Sequence, residues 1–442
     1  MTKNAAHPNS IHDVVQKGLC IGCGICTYSD AIGPMRYSKE HAQFFPVIYE
    51  GSTNDPLALA LCPGKGYNVV ADSSSLYNPA TYDLDLGHIY SCCASHSNDP
   101  EILSNASSGG IMSHLAIALL ESHLVDRVLV THFEYLPEAR AIGVLASSRN
   151  EILKSQGSKY CPVDISGALR EIKNNNYKVA VLGTPCQIAG IREIQRNDST
   201  FRDKISITIS TFCGGVKNYD NLDSLARRHG IAPNSVTFFQ FRGSGQPGSM
   251  LIRNSSGKQV AVPYPEYVGH TGYSKHLRCH LCVDATGELA DIACGDAWLP
   301  RFRNRTHPWS IIISRNKKAA DLIERLAFGG KITTEVISQD EIKRSQRENL
   351  TSKKVRQKSR MHLYRLLHIA TPSFDGGYHD VPLKLGLEVQ VFLKHRVKAV
   401  LEYLRLFYPI RSLTCWAVQL TSRGATHSGS PFSTRKGSAH AE

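Results

Sequence analysis

No run of eighteen uncharged apolar residues occurs anywhere in the 442-residue chain, so no membrane-spanning helix is expected. The opening MTKNAAHPNSIHD has no apolar core segment, which argues against a secretory signal peptide and makes the cytoplasm the expected compartment. The net charge of +13 comes without a nucleic-acid recognition motif or a basic sheet interleaved with aromatics. That charge therefore points to acidic redox partners or an anionic membrane surface rather than to nucleic acid. Hydrophobic residues at 42% and charged residues at 20% are ordinary for a soluble globular chain, long enough here for two or three domains.

What the chain has in quantity is cysteine, thirteen in all. Without a secretory leader, a disulfide framework fits poorly, and C-x-x-C spacing in the cytosol reads as metal or redox chemistry. Cys20-Ile-Gly-Cys23-Gly-Ile-Cys26 places three thiolates within seven residues, and Cys62-Pro63 follows after a loop. This spacing suits an iron–sulfur cubane better than zinc, whose structural sites usually use two separated knuckles. Gly22 and Gly24 let the backbone turn close to the inorganic sulfides.

Residues 179–213 organise the remainder. VAVLG ends at Gly183, a helical stretch opens at Thr184–Pro185, and ISITIST leads to Cys213. This is the pattern of a βαβ unit with parallel strands, and it brings Cys186 and Cys213 to one sheet edge, where ligands of α/β proteins collect. The helix dipole at Cys186 would lower its thiol pKa, which suits either a cluster ligand or a nucleophile. Cys279 and Cys282 form a second C-x-x-C that would complete a four-thiolate set with these two, zinc remaining an alternative.

Three tracts are candidates for an anionic cofactor. Ser107-Ser108-Gly109-Gly110 opens a helix, where free N–H groups and the dipole favour phosphate, although an ordinary helix cap reads the same way. Gly157, Lys159 and Tyr160 would bring a cation and a ring to a bound cofactor, or merely form a surface loop. Arg242-Gly243 precedes a Gly/Pro-rich loop, and the arginine would reach an anion or sit at a strand end in solvent. Around this loop, VTFFQF, MLIR and KQVAVPY read as antiparallel strands. Many of the basic residues lie beyond Lys353, apart from the cysteines, in stretches with a helical pattern. A terminal helix docked on its own domain is favoured there over an amphipathic helix on a membrane or acidic partner.

The motifs CIGCGIC, SSGGIMSHL, GSKYCPV, VAVLGTPCQIAGIR, TFCGG, FRGSGQPG, RCHLCVDATGELADIACGDAW and SIIISR resemble, in this order, the coenzyme F-420 hydrogenase/dehydrogenase beta-subunit family. The resemblance spans about residues 20–337. It implies an iron–sulfur flavoprotein with a mixed α/β (α+β) fold: a ferredoxin-like region at 1–85 and an α/β FAD and iron–sulfur domain with a mixed sheet at 86–340. Outside the resemblance, the pattern of the chain gives a basic helical extension at 341–420 and, where Gly, Ser and Thr dominate, a disordered tail at 421–442. The resemblance implies two [4Fe-4S] clusters, one on Cys20, Cys23, Cys26 and Cys62, the other on Cys186, Cys213, Cys279 and Cys282. FAD would be lined by Ser107, Ser108, Gly109, Gly110, Gly157, Lys159, Tyr160, Thr184, Arg242 and Gly243. The implied activity is electron relay between the clusters and FAD, with a small substrate such as a deazaflavin coenzyme and a donor such as ferredoxin or a partner oxidoreductase subunit. The rival readings are a ferredoxin-dependent reductase of a pigment or cell-envelope saccharide precursor, and a non-catalytic electron-transfer subunit. No catalytic residue is assigned, and Cys92, Cys93, Cys161, Cys294 and Cys415 have no role in this reading.

Overall fold

The computed structural model describes residues 7–407 apart from 53, 136–137, 246, 269–274 and 304. The expected disordered tail and Cys415 lie outside the described residues. Residues 1–391 form one compact unit; residues 392–442 form another, described only as far as a helical stretch ending at Phe407.

The chain begins with a short helix, α1 (Ile11–Gln16), a hairpin of β1 (Ile32–Ser38) and β2 (Gln43–Ile48), and helix α2 (Pro56–Leu61). The hairpin fills the long interval between Cys26 and Cys62. Next come β3 (Ser91–Ser97), α3 (Ile111–Glu121), β4 (Arg127–Glu134), β5 (Arg140–Ala146) and α4 (Ser166–Asn174). The βαβ unit follows as β6 (Val179–Gly183), α5 (Pro185–Asn197) and β7 (Ile205–Thr211). A meander of β8 (Val236–Gly243), β9 (Ser249–Asn254) and β10 (Gln259–Pro263) precedes β11 (Ile292–Asp296), β12 (Ser310–Ser314), α6 (Lys317–Phe328), β13 (Ile332–Val336) and α7 (Gln357–Leu366).

Eight strands build one mixed sheet in the order β13-β3-β12-β11-β7-β6-β4-β5. The four central strands, β11, β7, β6 and β4, run parallel, and every other pairing is antiparallel. The expected parallel pairing of β6 with β7 is present, Val181 facing Thr208. VAVLG carries no polar–apolar alternation because both faces of the sheet are covered. ISITIST does alternate, yet Thr208 and Ser210 are fully buried as well, the Thr208 hydroxyl donating to the Asp291 carboxylate at 2.9 Å. Val179 and Val181 pack with Ile188 and Ile191 of α5 on one face. Ala180, Ile207 and Ile209 pack with Leu115 and Leu119 of α3 on the other. Each fully buried aliphatic side chain of this kind contributes about 1.5–3 kcal/mol.

Helix α5 starts where sequence placed it because Pro185 occupies its first turn and the Gln187 carboxamide accepts from the Thr184 N–H at 3.0 Å. At Gly190 the helix needs a residue without a side chain, since a Cβ would strike Ile25 and Leu61 of the amino-terminal region. Within the first unit, residues 339–366 of the basic stretch are largely helical and packed against its body. Lys353 and Lys354 are fully buried, the latter paired with the equally buried Glu288 at 2.5 Å. Lys354→Met should leave the Glu288 carboxylate buried without a cation and cost about 3–5 kcal/mol, read as a lowered denaturant midpoint. Lys354→Met with Glu288→Leu should recover most of that loss.

Candidate functional site

Each predicted cysteine quartet forms a local group. Cys20, Cys23, Cys26 and Cys62 are free thiols in the amino-terminal region, and the charge on Cys62 bears on each of the other three. Burial first, then Cys62, pushes the Cys20 thiol up to about 12, and Cys23 and Cys26 also rise through burial. Backbone N–H groups oppose this: Gly22 toward Cys20, Ile25 toward Cys23, Gly64 and Lys65 toward Cys62. Gly24 holds φ +78°, and a Cβ there would strike Asp164. Its glycine therefore serves a left-handed turn and the close approach of residues 164–166, a different demand from proximity to sulfide.

The inner quartet sits at the carboxyl edge of the parallel strands, as expected. Cys186 opens α5 after β6, and Cys213 follows β7. The 279–282 loop folds back onto them: Val216 N–H points at Cys279 Sγ at 3.5 Å, and the Cys186 thiol feels Cys213, Cys279 and Cys282 together. Gly215 N–H donates to Cys213 Sγ at 3.3 Å, and the Thr184 hydroxyl lies 3.3 Å from Cys186 Sγ. The expectation that the helix dipole lowers the Cys186 pKa fails. Burial, reinforced by the neighbouring thiol of Cys213, pushes it up to about 12, because desolvation of a fully enclosed thiolate outweighs one helix end.

Four cations close the inner quartet, and sequence reading missed all of them. Arg278 is fully buried and donates to the carbonyls of Pro63 and Gly64, immediately after Cys62. Lys275 lies against Gly215 and Cys279 in space, its ammonium drawn down to about 8 by burial. Lys353 donates to the Asp284 carbonyl at 2.6 Å, and Arg360 to the His280 carbonyl at 2.8 Å. Burial works against the Cys282 thiolate, yet Lys353 and Arg278 outweigh it and hold that thiol below its ordinary value. The separation of basic charge from the cysteines, drawn from sequence, is thus corrected at Lys353. Only its pairing with a loop some seventy positions earlier reveals its place, and no local pattern carries that signal. The two quartets also feel each other, since Cys186 bears on Cys23.

The predicted cofactor tracts divide. Ser107, Gly157–Tyr160 and Arg242–Gly243 converge. Ser107 Oγ donates to the Arg242 carbonyl at 2.6 Å, Arg242 Nη2 returns a bond to the Ser107 carbonyl at 2.6 Å, and Ser158 N–H donates to the Arg242 carbonyl at 3.1 Å. Gly157 and Gly243 both press on the Gln240 side chain. Arg242 is no solvated strand end: it is buried, bonds both carboxylate oxygens of Asp296 at 2.5 and 2.8 Å, and keeps a buried Nε with no hydrogen-bond partner among the described residues. Ser108 and Gly109 face β12 instead, Ser108 Oγ donating to the Trp309 carbonyl and Gly109 N–H to Ser310 Oγ, so that N–H is not free. Gly110 caps α3 in a left-handed conformation. Lys159 turns its ammonium onto the Ser155 and Gln156 carbonyls at the end of a short helix. Thr184 stays on the thiol side.

A cavity of about 500 Å³ opens beside Ser244 and Gly245, directly after the Arg242 hub, with His96, Ser104 and His307 among its walls. Among the described residues, no three His, Cys, Asp or Glu side chains stand close enough to hold a single metal ion.

A double-mutant cycle on Arg242→Met and Asp296→Asn, read in thermal unfolding, should return a coupling of about 0.5–3 kcal/mol.

Residues 92–170 match the amino-terminal part of the family described as coenzyme F420 hydrogenase/dehydrogenase, beta subunit, and residues 176–340 match the carboxyl-terminal part of the same family. The coenzyme F420 hydrogenase subunit beta of Methanococcus voltae is 27% identical, the alignment covering 59% of this chain and 88% of that one. The Methanosarcina barkeri protein of the same name is also 27% identical, over 58% and 85%. The coenzyme F420-dependent sulfite reductase of Methanocaldococcus jannaschii is 23% identical, over 71% of this chain but 46% of that protein. The fold is shared with a chain of the F420-reducing [NiFe] hydrogenase complex of Methanosarcina barkeri, at TM-score 0.51 and 24% identity over 68% of this chain and 99% of that one. On the two consecutive matches, which cover more than half of its length, the chain belongs to the coenzyme F420 hydrogenase/dehydrogenase beta-subunit family.

Proposed function

We propose that this chain is an iron–sulfur flavoprotein that relays electrons between a redox partner and a small substrate such as a deazaflavin coenzyme. In this reading Cys20, Cys23, Cys26 and Cys62 hold one [4Fe-4S] cluster, and Cys186, Cys213, Cys279 and Cys282 hold another. FAD is held beside the Ser107, Gly157–Tyr160 and Arg242–Gly243 hub. Clusters carry single electrons and flavin exchanges one or two, which is the chemistry these groups supply when bound.

The observation that carries the reading is the pair of buried thiol quartets joined through Arg278. Four thiolates in one buried group repel one another, and each quartet needs a cationic centre to become anionic together. Thiol donors suit iron–sulfur centres, and the N–H groups aimed at Cys20, Cys23, Cys62, Cys213 and Cys279 are the protein's means of tuning such a centre.

Toward the flavin the fit rests on Arg242. Its Nε, without a partner among the described residues, is a buried donor suited to an anionic or carbonyl oxygen, and Asp296 fixes the guanidinium plane. The adjoining cavity gives the substrate a place next to that hub. The names of the family relatives support a deazaflavin as substrate, and the assembly in which the structural relative occurs supports a partner oxidoreductase subunit as donor or acceptor.

Anaerobically purified protein should contain about eight iron and eight acid-labile sulfide per chain together with a flavin spectrum. Cys186→Ser should lose about half of that iron while retaining the amino-terminal centre. Zinc without iron, or absence of flavin in anaerobic preparations, would overturn the proposal.

A further inference from the structure

The family match ends at residue 340, yet the inner quartet is not complete there. Three side chains from residues 349–360 reach backbone carbonyls on the loops that carry its cysteines. Asn349 Nδ2 donates to the Cys213 carbonyl at 3.3 Å, Lys353 Nζ to the Asp284 carbonyl at 2.6 Å, and Arg360 Nη1 to the His280 carbonyl at 2.8 Å. Arg360 is itself held by Glu388 at 3.0 Å. Between Asn349 and Arg360 the chain takes a π-helical turn, Thr351–Val355, a conformation that is uncommon and concentrates at functional positions.

Lys353 is only 2% exposed, and a buried ammonium is costly unless anions answer it. The charges bearing on it are those of Cys282, Cys213, Asp284 and Cys279; Glu288 is taken by Lys354. Of the other cations at the quartet, Lys275 faces Cys279 and Cys213 and belongs with Arg278 to the ligand loop, Arg278 being hydrogen-bonded to the Pro63 and Gly64 carbonyls and Arg360 being paired with Glu388. Lys353 is thus a positive charge delivered from outside that loop, and it is answered by three of the quartet's thiols together with Asp284.

We propose that residues 349–360 complete the inner thiolate site and that Lys353 is a positioning and potential-setting residue, raising the midpoint potential of the centre held there. The inference rests on the two-cluster reading above. One-electron reduction adds one negative charge to the centre, and a fixed cation nearby favours the reduced state.

The test uses the full-length chain purified anaerobically, compared with Lys353→Met, Lys353→Gln and Lys353→Arg by iron and sulfide assay and by EPR-monitored titration with dithionite and mediators. Lys353→Arg should titrate like the unchanged protein. Lys353→Met should keep its iron and shift one of the two reduction steps to lower potential, with the other in place; Lys353→Gln serves the same purpose if methionine disturbs folding. Loss of one centre in both neutral variants but not in Lys353→Arg also supports the proposal. Full iron with unshifted potentials in the neutral variants overturns it, as does equal loss of iron in all three. An unchanged protein without iron instead defeats the two-cluster reading, and the two failures are thereby distinguished.

Discussion

Arg278 is the interaction on which the arrangement of this molecule depends. It sits within the C-x-x-C loop of one thiol quartet and spends its guanidinium on the carbonyls of Pro63 and Gly64, next to the last cysteine of the other. Its face lies over the Phe374 ring at 4.9 Å, so even its flat surfaces are occupied. A guanidinium suits this post because it is always charged and presents several donors in fixed directions. An ammonium would supply the charge but could not grip two successive carbonyls in one plane. Helix α5 makes the second tie between the quartets, opening with Cys186 and passing close to Ile25 and Leu61 at Gly190. The separation of the two thiol groups is therefore built in twice.

Much of the central architecture was legible in the sequence. The β6–α5–β7 unit announced itself because two β-branched runs flank a Thr-Pro helix start, and the meander of β8 to β10 because short apolar runs are broken by turn residues. Bringing Cys186 and Cys213 together followed from strand ends meeting at one edge, whereas the 279–282 pair joined them only as a second C-x-x-C that would complete a four-thiolate set. The chemistry of the surroundings was less legible. Asp296 as partner of Arg242 lies 54 positions away, and nothing local marks a strand-end arginine as buried. Lysines 353 and 354 read only as part of a basic helical stretch apart from the cysteines, and their distant partners, Asp284 and Glu288, explain their burial. The pKa of Cys186 was misjudged for a related reason: a helix end is visible in sequence, whereas complete enclosure is a tertiary property.

The basic character of the chain divides accordingly. One part is interior wiring: Arg242, Arg278, Arg315, Lys353 and Lys354 are all buried and hydrogen-bonded or ion-paired. Arg315 alone collects the carbonyls of Leu86, His88, Thr286 and Gly287, linking the start of the large sheet to the segment after the second C-x-x-C. These cations say nothing about external partners, so the formal net charge overstates the positive field the surface presents.

Residues 371–375 touch the amino-terminal region at three points. Thr371 bonds His7 at 3.1 Å, Ser373 and Phe374 pair as a parallel strand with Gly66 and Tyr67, and Asp375 accepts from the N–H groups of Val70 and Ala71 at 3.1 and 2.7 Å. During synthesis residues 66–71 emerge some three hundred residues before the segment that pairs with them. Until that segment emerges, Gly66, Tyr67, Val70 and Ala71 lack these partners, so the amino-terminal region gains its last contacts late in synthesis.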